Sequence, residues 1–250
     1  MSAFPVRSPH SPPDLPAGRV HLWSLRLDPP AEQVAALERL LARDELERAR
    51  RFRFERHQRQ YIVGRGALRT LLGAYLGLPP ERIEFAYGPR GKPFLAPTLA
   101  GRGPQFNLSN SDERALIGLV RGLEIGVDLE YRKPMPDCEE IAERFFSESE
   151  RQVLRALPPA LKEEAFFNCW TRKEAYLKAV GEGLAAPLDS FDVTLAPGEP
   201  ARMLTLRGDA EPARRWFFHP LVPAPEYVGA LALESAEADA WEIDVWEYGF

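Results

Sequence analysis

Asp128 and Glu130 stand one residue apart in the stretch GVDLE, at the end of the apolar run ALIGLVRGLEIGVDLE. On a strand, residues i and i+2 leave by the same face, so both carboxylates point one way. Two such acids repel each other unless they are protonated, solvated or bound to a cation. Hard oxygen ligands suit Mg²⁺, which takes a few carboxylates and completes its shell with water and phosphate oxygens. Taken alone, the pair also fits a solvated strand end. Glu174 and Lys178, in WTRKEAYLK, are spaced to share one face of a helix. They read either as a surface ion pair worth about 0.3–0.5 kcal/mol or as a third oxygen ligand with a phosphate contact one turn on. Lys173 falls on another face and need not share their role. In RGKPFL, Arg90 and Lys92 flank Gly91 on a tight turn before Pro93. Two cations there can hold a phosphate, or simply aid solubility. FNLSNS sets Ser109 and Asn110, two short hydrogen-bonding groups, beside a strand end.

The elements around these residues follow from periodicity. VHLWSLRL alternates and predicts a strand. PPAEQVAALERLLARDELERARRF predicts a helix, with Pro30 at its start and Val34, Leu37, Leu40 and Leu41 on one face. A second helix is predicted from about Gln58 to Leu76, with Tyr61, Arg65 and Arg69 at four-residue intervals along one side. IEFAYGPRGKPFL reads as two short strands about a turn, and ALIGLVRG with LEIGVDLE as a hairpin turning near Arg121-Gly122. Ser147 and Glu150 have capping-box spacing. ALKEEAFFNCWTRKEAYLKAVG predicts a long amphipathic helix stopped by Gly181 and Gly183; its apolar Phe166, Phe167, Trp170 and Leu177 require it to dock. Strands separated by Pro-rich connectors fill the remainder. Strands and long helices outside a regular βαβ alternation imply an α+β fold.

Composition bounds the function. The 250 residues are 45% hydrophobic and 28% charged, enough for one large or two smaller domains. A net charge of −5 argues against a general nucleic-acid binder. No stretch approaches the roughly 18 apolar residues of a membrane span, and the Pro- and Ser-rich start lacks a signal-peptide core. Cys138 and Cys169 have no metal-type spacing and read as reduced thiols of a cytoplasmic protein. From Arg43 to Arg69, nine arginines face Asp44, Glu45, Glu47 and Glu55, a local excess of +5 that attracts anions or forms a solvated helix face.

In this order, the motifs resemble those of the 4′-phosphopantetheinyl transferases of the larger, surfactin-synthetase-activating type. That family's pattern reads GKP, FNxSHS, G-[IV]-D-[ILV]-E, and W-[ST]-x-K-E-[AS]-x-x-K followed by G-x-G-L. Here the counterparts are Gly91-Lys92-Pro93, FNLSNS, GVDLE and WTRKEAYLK with GEGL. RRFRFERHQRQYIVGRGALR is similar to the family's amino-terminal helical segment, and the resemblance covers residues 20 to 235 or so. It departs at Asn110, where the family has a His that contacts the phosphates of coenzyme A. Asn offers a neutral N–H but can neither carry charge nor shuttle a proton near neutral pH.

The resemblance implies a pseudo-dimer of two similar α+β halves, each a small, mainly antiparallel sheet packed with a long helix, with the active site in the cleft between them. A flexible arm would span 1–18, the first half 19–114, and the second half, with the metal motifs, 115–250. The implied reaction moves the 4′-phosphopantetheine arm of coenzyme A onto a serine of an apo acyl, peptidyl or polyketide carrier protein and releases adenosine 3′,5′-bisphosphate. Asp128, Glu130 and Glu174 would ligate Mg²⁺, with Mn²⁺ an alternative, and Asp128 would also lie against coenzyme A. Lys178 would contact the pyrophosphate. Arg90, Lys92, Pro93, Ser109 and Asn110 would line the phosphate path, and Arg48 would lie near the 3′-phosphate. Glu174 would be the general base, acting directly or through a water on the metal. The resemblance further implies a cytoplasmic monomer with no nucleic-acid or membrane partner. Two other readings compete: another Mg²⁺-dependent nucleotide phosphoryl transferase or hydrolase, and a coenzyme A- or carrier-binding module without turnover.

Overall fold

The computed structural model describes residues 4–181, 187–235 and 241–250. Strand β1 (Val6–Arg7) precedes β2 (Arg19–Arg26), and helices α1 (Ala31–Glu38), α2 (Arg43–Ala49) and α3 (Glu55–Leu76) follow. A hairpin of β3 (Phe85–Tyr87) and β4 (Pro93–Leu95) leads to β5 (Gln105–Ser111) and β6 (Arg114–Val120). The chain then repeats the plan: β7 (Ile125–Tyr131); helices α4 (Cys138–Phe145), α5 (Glu148–Ala156) and α6 (Pro159–Val180); a hairpin of β8 (Phe191–Val193) and β9 (Met203–Leu206); the short α7 (Ala210–Ala213); then β10 (Trp216–Leu221) and β11 (Tyr227–Glu234). β12 (Glu242–Tyr248) ends the chain.

The repetition extends to topology. The first unit orders its strands β2-β6-β5 and the second β7-β11-β10. α3 and α6 are both 22 residues long, and each stops at a left-handed glycine, Gly77 and Gly181. This is the expected pair of α+β halves. β12 crosses back to pair in parallel with β2, and β1 pairs in parallel with β12, so the first sheet has five strands.

Strand alternation sets the layers. On β6, Ala115, Ile117 and Leu119 pack toward α3, while Leu116 and Val120 join Ile125, Val127 and Leu129 of β7 in an apolar layer between the two sheets. The other face of β7, carrying Gly126, Asp128 and Glu130, is thereby turned to α6. A β carbon on Gly126 would lie 1.9 Å from the carbonyl oxygen of Ala175 and 2.4 Å from the amide nitrogen of Ala179. Only glycine permits this approach of strand to helix backbone.

Several expectations are corrected. β6 and β7 turn at Gly122, in the left-handed region, but do not form a hairpin. Both edges of β6 are taken, by β2 and β5, and β7 pairs antiparallel with β11. Because β6 belongs to the first sheet, the crossing between halves falls after Val120 rather than at 114. The long helix expected after Pro30 is broken into α1 and α2, because the Glu45 carboxylate turns back to accept the Ala42 amide and starts a new helix there. The amino-terminal arm is not loose along its length: Val6 and Arg7 pair with β12, and Leu15 is buried in the first core. Gly183, expected to help stop α6, lies outside the described residues.

The capping box is present and does more than cap. The Glu150 carboxylate accepts the Ser147 amide at 2.9 Å and the Val193 amide at 2.8 Å, and pairs with Lys173 at 2.8 Å. Lys173 is fully buried and also donates to the carbonyls of Leu188 and Phe191. It is therefore a structural cation that seats α6, on a different face from Lys178.

Gly126→Ala is expected to destabilise the protein by about 1–3 kcal/mol or more, because backbone rather than a flexible side chain must yield. A urea titration followed by tryptophan fluorescence measures this; an unchanged midpoint would show that β7 and α6 do not touch as described.

Candidate active site

Against the Gly126 contact, α6 lays a stripe of Trp170, Glu174 and Lys178 along β7. Asp128 is 3% exposed. Its Oδ1 accepts from Lys178 Nζ at 2.6 Å and from Ser109 Oγ at 3.1 Å, and Lys178 also donates to Ser109 Oγ at 2.7 Å. Glu130 Oε2 accepts from Ser111 Oγ at 2.8 Å, and the Trp170 side chain also donates to Glu130. The structure thus brings Asp128, Glu130, Glu174, Lys178 and Ser109 together at one buried junction between the halves.

β5 and β7 meet there through side chains. Asn107 Oδ1 accepts the Val127 amide at 3.0 Å, and Ser111 Oγ accepts the Tyr131 amide at 3.0 Å. Asn107, Ser109 and Ser111 alternate along β5 and so share the face toward β7. Asn107, Ser111 and the indole of Trp170 escaped the sequence reading. The period-2 run of short polar residues in FNLSNS was the available signal for the first two.

Three carboxylates here face one ammonium. Burial, and then the neighbouring charge of Asp128, push the Glu130 and Glu174 carboxyls above the usual carboxylate range; Lys178 opposes the shift only in part. Asp128 Oδ2 and Glu174 Oε1 are buried and accept no hydrogen bond among the described residues. Buried oxygens with unused lone pairs, in a cluster of excess negative charge, fit a hard divalent cation. Among the described residues, no three acidic, His or Cys side chains already converge as a preformed ligand cage, and Lys178 holds one Asp128 oxygen.

Two adjoining cavities lie along α3 and share Gln60, Tyr61 and Asn110; the larger reaches the junction at Glu130. One, of about 610 Å³, is lined by Glu130, Asn110, Ser111, His57 and Tyr61 among others. The second, of about 200 Å³, is lined by Arg48, Tyr61, Arg65, Pro93 and Asn110. Asn110 borders both and is exposed. Arg48, Pro93 and Asn110, all from the first unit, therefore line one cavity together. Lys92 is engaged elsewhere: its Nζ donates to Glu124 at 2.6 Å and to the Ala179 carbonyl at 2.7 Å, tying the β3–β4 loop to the end of α6. Arg90 is exposed and lines a separate cavity with Lys92. The structure does not bring Arg90 to the Asp128 cluster.

Much of the arginine excess is used internally. Arg69 is buried against Glu45 at 2.7 Å, Arg43 pairs with Glu47, Arg56 with Asp112, and Arg59 donates to the Pro29 carbonyl. Arg48, Arg50, Arg51 and Arg53 remain exposed.

Residues 26–120 match a family profile described as 4′-phosphopantetheinyl transferase, N-terminal, and residues 124–232 match that of the 4′-phosphopantetheinyl transferase superfamily. The two matches meet at the β6–β7 turn. The chain is similar to the 4′-phosphopantetheinyl transferase HetI of Nostoc sp., with 42% identity over 239 residues, which is 95% of this chain and 96% of HetI. It is also similar to the 4′-phosphopantetheinyl transferase Sfp of Bacillus subtilis, with 34% identity over 60% of this chain and 64% of Sfp. Among solved structures, the holo-[acyl-carrier-protein] synthase of Thermotoga maritima aligns with 45% of this chain and 62% of its own, at 20% identity and a TM-score of 0.36. Matched almost end to end by HetI, and in each half by a family profile, the chain belongs to the 4′-phosphopantetheinyl transferase superfamily.

Proposed function

We propose that the chain transfers the 4′-phosphopantetheine arm of coenzyme A to a serine of an apo carrier protein, and that the chemistry takes place at the β7–α6 junction. The observation that supports this placement is the group of buried Asp128 and half-buried Glu130 and Glu174 around Lys178, with two buried carboxylate oxygens left unpartnered among the described residues. Asp128, Glu130 and Glu174 would hold Mg²⁺ or Mn²⁺, which when bound neutralises charge on the pyrophosphate.

The chain's own groups divide the remaining work. Lys178, shared between Asp128 and Ser109, would turn its ammonium to the pyrophosphate oxygens. Glu174 would take the serine proton, directly or through a water. The serine oxygen forms its bond to the pantetheine-side phosphorus, and the bond from that phosphorus to the bridging oxygen breaks, releasing adenosine 3′,5′-bisphosphate. Asn110 would offer its amide N–H along the phosphate path. Exposed Arg50, Arg51 and Arg53, together with Phe52 and Phe54, form a basic and aromatic rim suited to an acidic helix of the carrier. A cleft supplied by two halves of one chain supports a working monomer. The two free, buried cysteines suit a reducing, cytoplasmic setting.

Incubation with coenzyme A, Mg²⁺ and a panel of apo carriers should add one phosphopantetheine to at least one carrier by mass spectrometry. No gain on any carrier, with tight coenzyme A binding by calorimetry, would make the protein a binding module instead. Asp128→Ala and Glu174→Ala are each expected to lower transfer by about 10²-fold or more while circular dichroism stays native. Near-normal rates would remove that residue from the site. Asn110→His should preserve or raise the rate; a sharp loss would show a pocket rebuilt around Asn.

Glu174 also predicts a pH effect. Its folded carboxyl binds a proton more tightly than the unfolded one, so this group costs no stability below about pH 4.5 and costs increasingly more as pH rises through its raised value. In metal-free buffer, Glu174→Gln should therefore melt above the wild type at neutral pH, and the gap should close on acidification. Equal melting temperatures across that range would contradict the burial described.

A further inference from the structure

We infer that Ser111 is a positioning residue for the reaction: it aims the Glu130 carboxylate of the second unit into the site, and α3 of the first unit anchors it there through the β5–β6 turn. The inference rests on Glu130 serving as a ligand of the divalent cation, as proposed above. Glu130 is half-buried and shares one face of β7 with Asp128. Repulsion from Asp128 favours rotamers that carry the longer side chain toward solvent. Two donors oppose this. Ser111 Oγ donates to Glu130 Oε2 at 2.8 Å, and the Trp170 side chain donates as well.

The direction of the Ser111 bond is fixed. A serine hydroxyl has one proton and two lone pairs. The Tyr131 amide donates to Oγ at 3.0 Å and takes one lone pair. An ionised carboxylate only accepts, so the hydroxyl proton goes to Glu130. One side chain thus holds both the Glu130 carboxylate and the backbone of the next residue. A hydrogen bond to an ionised acceptor is also about twice as strong as a neutral one.

Ser111 ends β5, opposite Arg114 across the two-residue turn Asp112-Glu113. Asp112 lies in the left-handed region, at φ 48°, which Asp tolerates better than most residues. Both units hold this turn. From α3, Arg56 pairs with the Asp112 carboxylate, and Gln60, one helical turn on, donates to the Asp112 carbonyl at 2.6 Å. From β11, the Tyr227 hydroxyl accepts the Glu113 amide at 3.3 Å. Arg56 and Asp112 are 56% and 38% exposed, so their pair adds little to overall stability. Its place is at the site instead: Arg56, Gln60, Ser111, Asp112 and Glu130 line the same cavity of about 610 Å³. The contacts run from α3, through the turn, to the carboxylate. Hydrogen bonds to a ligating group commonly change metal affinity by about 10–100-fold.

The test is a Mn²⁺ titration followed by electron paramagnetic resonance, with the full chain, coenzyme A and no carrier, against a protein-free blank. Glu130→Gln and Ser111→Ala should each weaken Mn²⁺ binding by about 10-fold or more, and Asp112→Asn by a smaller factor of about 3. Ser111→Thr keeps the hydroxyl and should stay near the wild type. Asp112→Asn suits the same backbone and removes only the charge, so the result does not depend on Ser111→Ala folding. Wild-type affinity in Ser111→Ala, or a loss in Ser111→Thr as large as in Ser111→Ala, would overturn the role of Ser111. Wild-type affinity in Asp112→Asn would overturn its anchoring by α3. Unchanged affinity in Glu130→Gln, or no Mn²⁺ uptake by the wild type, would overturn the ligand assignment and the positioning role with it.

Discussion

At Gly126 a single hydrogen stands between β7 and the backbone of α6. The depth of that contact sets where everything else at the site can be. It places the α6 stripe of Trp170, Glu174 and Lys178 directly over the β7 face that carries Asp128 and Glu130. It also commits the opposite face of β7, through Val127 and its neighbours, to the apolar layer between the sheets. A strand pinned on both faces cannot slide, and a slip of one residue would send the carboxylates into the apolar layer. The acids are therefore held close despite their repulsion, and the energetic consequence is visible in the raised carboxyls of Glu130 and Glu174.

The second support is the seam between the halves. β5 and β7 are joined where Asn107 and Ser111 accept backbone amides and Ser109 bridges Asp128 and Lys178. Short polar side chains allow the two sheets to approach while every bond has a defined partner, which matters where burial makes an unmatched group costly. Against that background of satisfied groups, the few unpartnered ones stand out. Among the described residues, some are scattered, as at His21, Gln33 and Arg151, but two, on Asp128 and Glu174, fall together in the carboxylate cluster.

The parts of this arrangement that rest on local spacing could be read in the sequence. The i, i+2 acids of GVDLE, the i, i+4 pair on α6, the glycine turn between β3 and β4 and the Ser147–Glu150 box all depend on residues a few positions apart. The parts that rest on distant partners could not. β6 and β7 have the pattern of a hairpin, and only the presence of β2, β5 and β11 decides otherwise. The break between α1 and α2 depends on Glu45, whose carboxylate is also held by Arg69 from the middle of α3. Lys92 sits in a turn that looks like a phosphate loop, yet its ammonium closes on the end of α6. Each is a long-range electrostatic or ladder interaction that no local window contains.

The last strand breaks the repeat. The seam joins the outer strand of the first unit, β5, to the leading strand of the second, β7. By the same repeat, β10 is the counterpart of β5 and β2 the counterpart of β7. β12 already lies on that edge of β2, with β1 laid on it in turn. β12 and β1 thus give that edge of β2 a hydrogen-bonded cover, where the matching edge of β7 is left to meet β5.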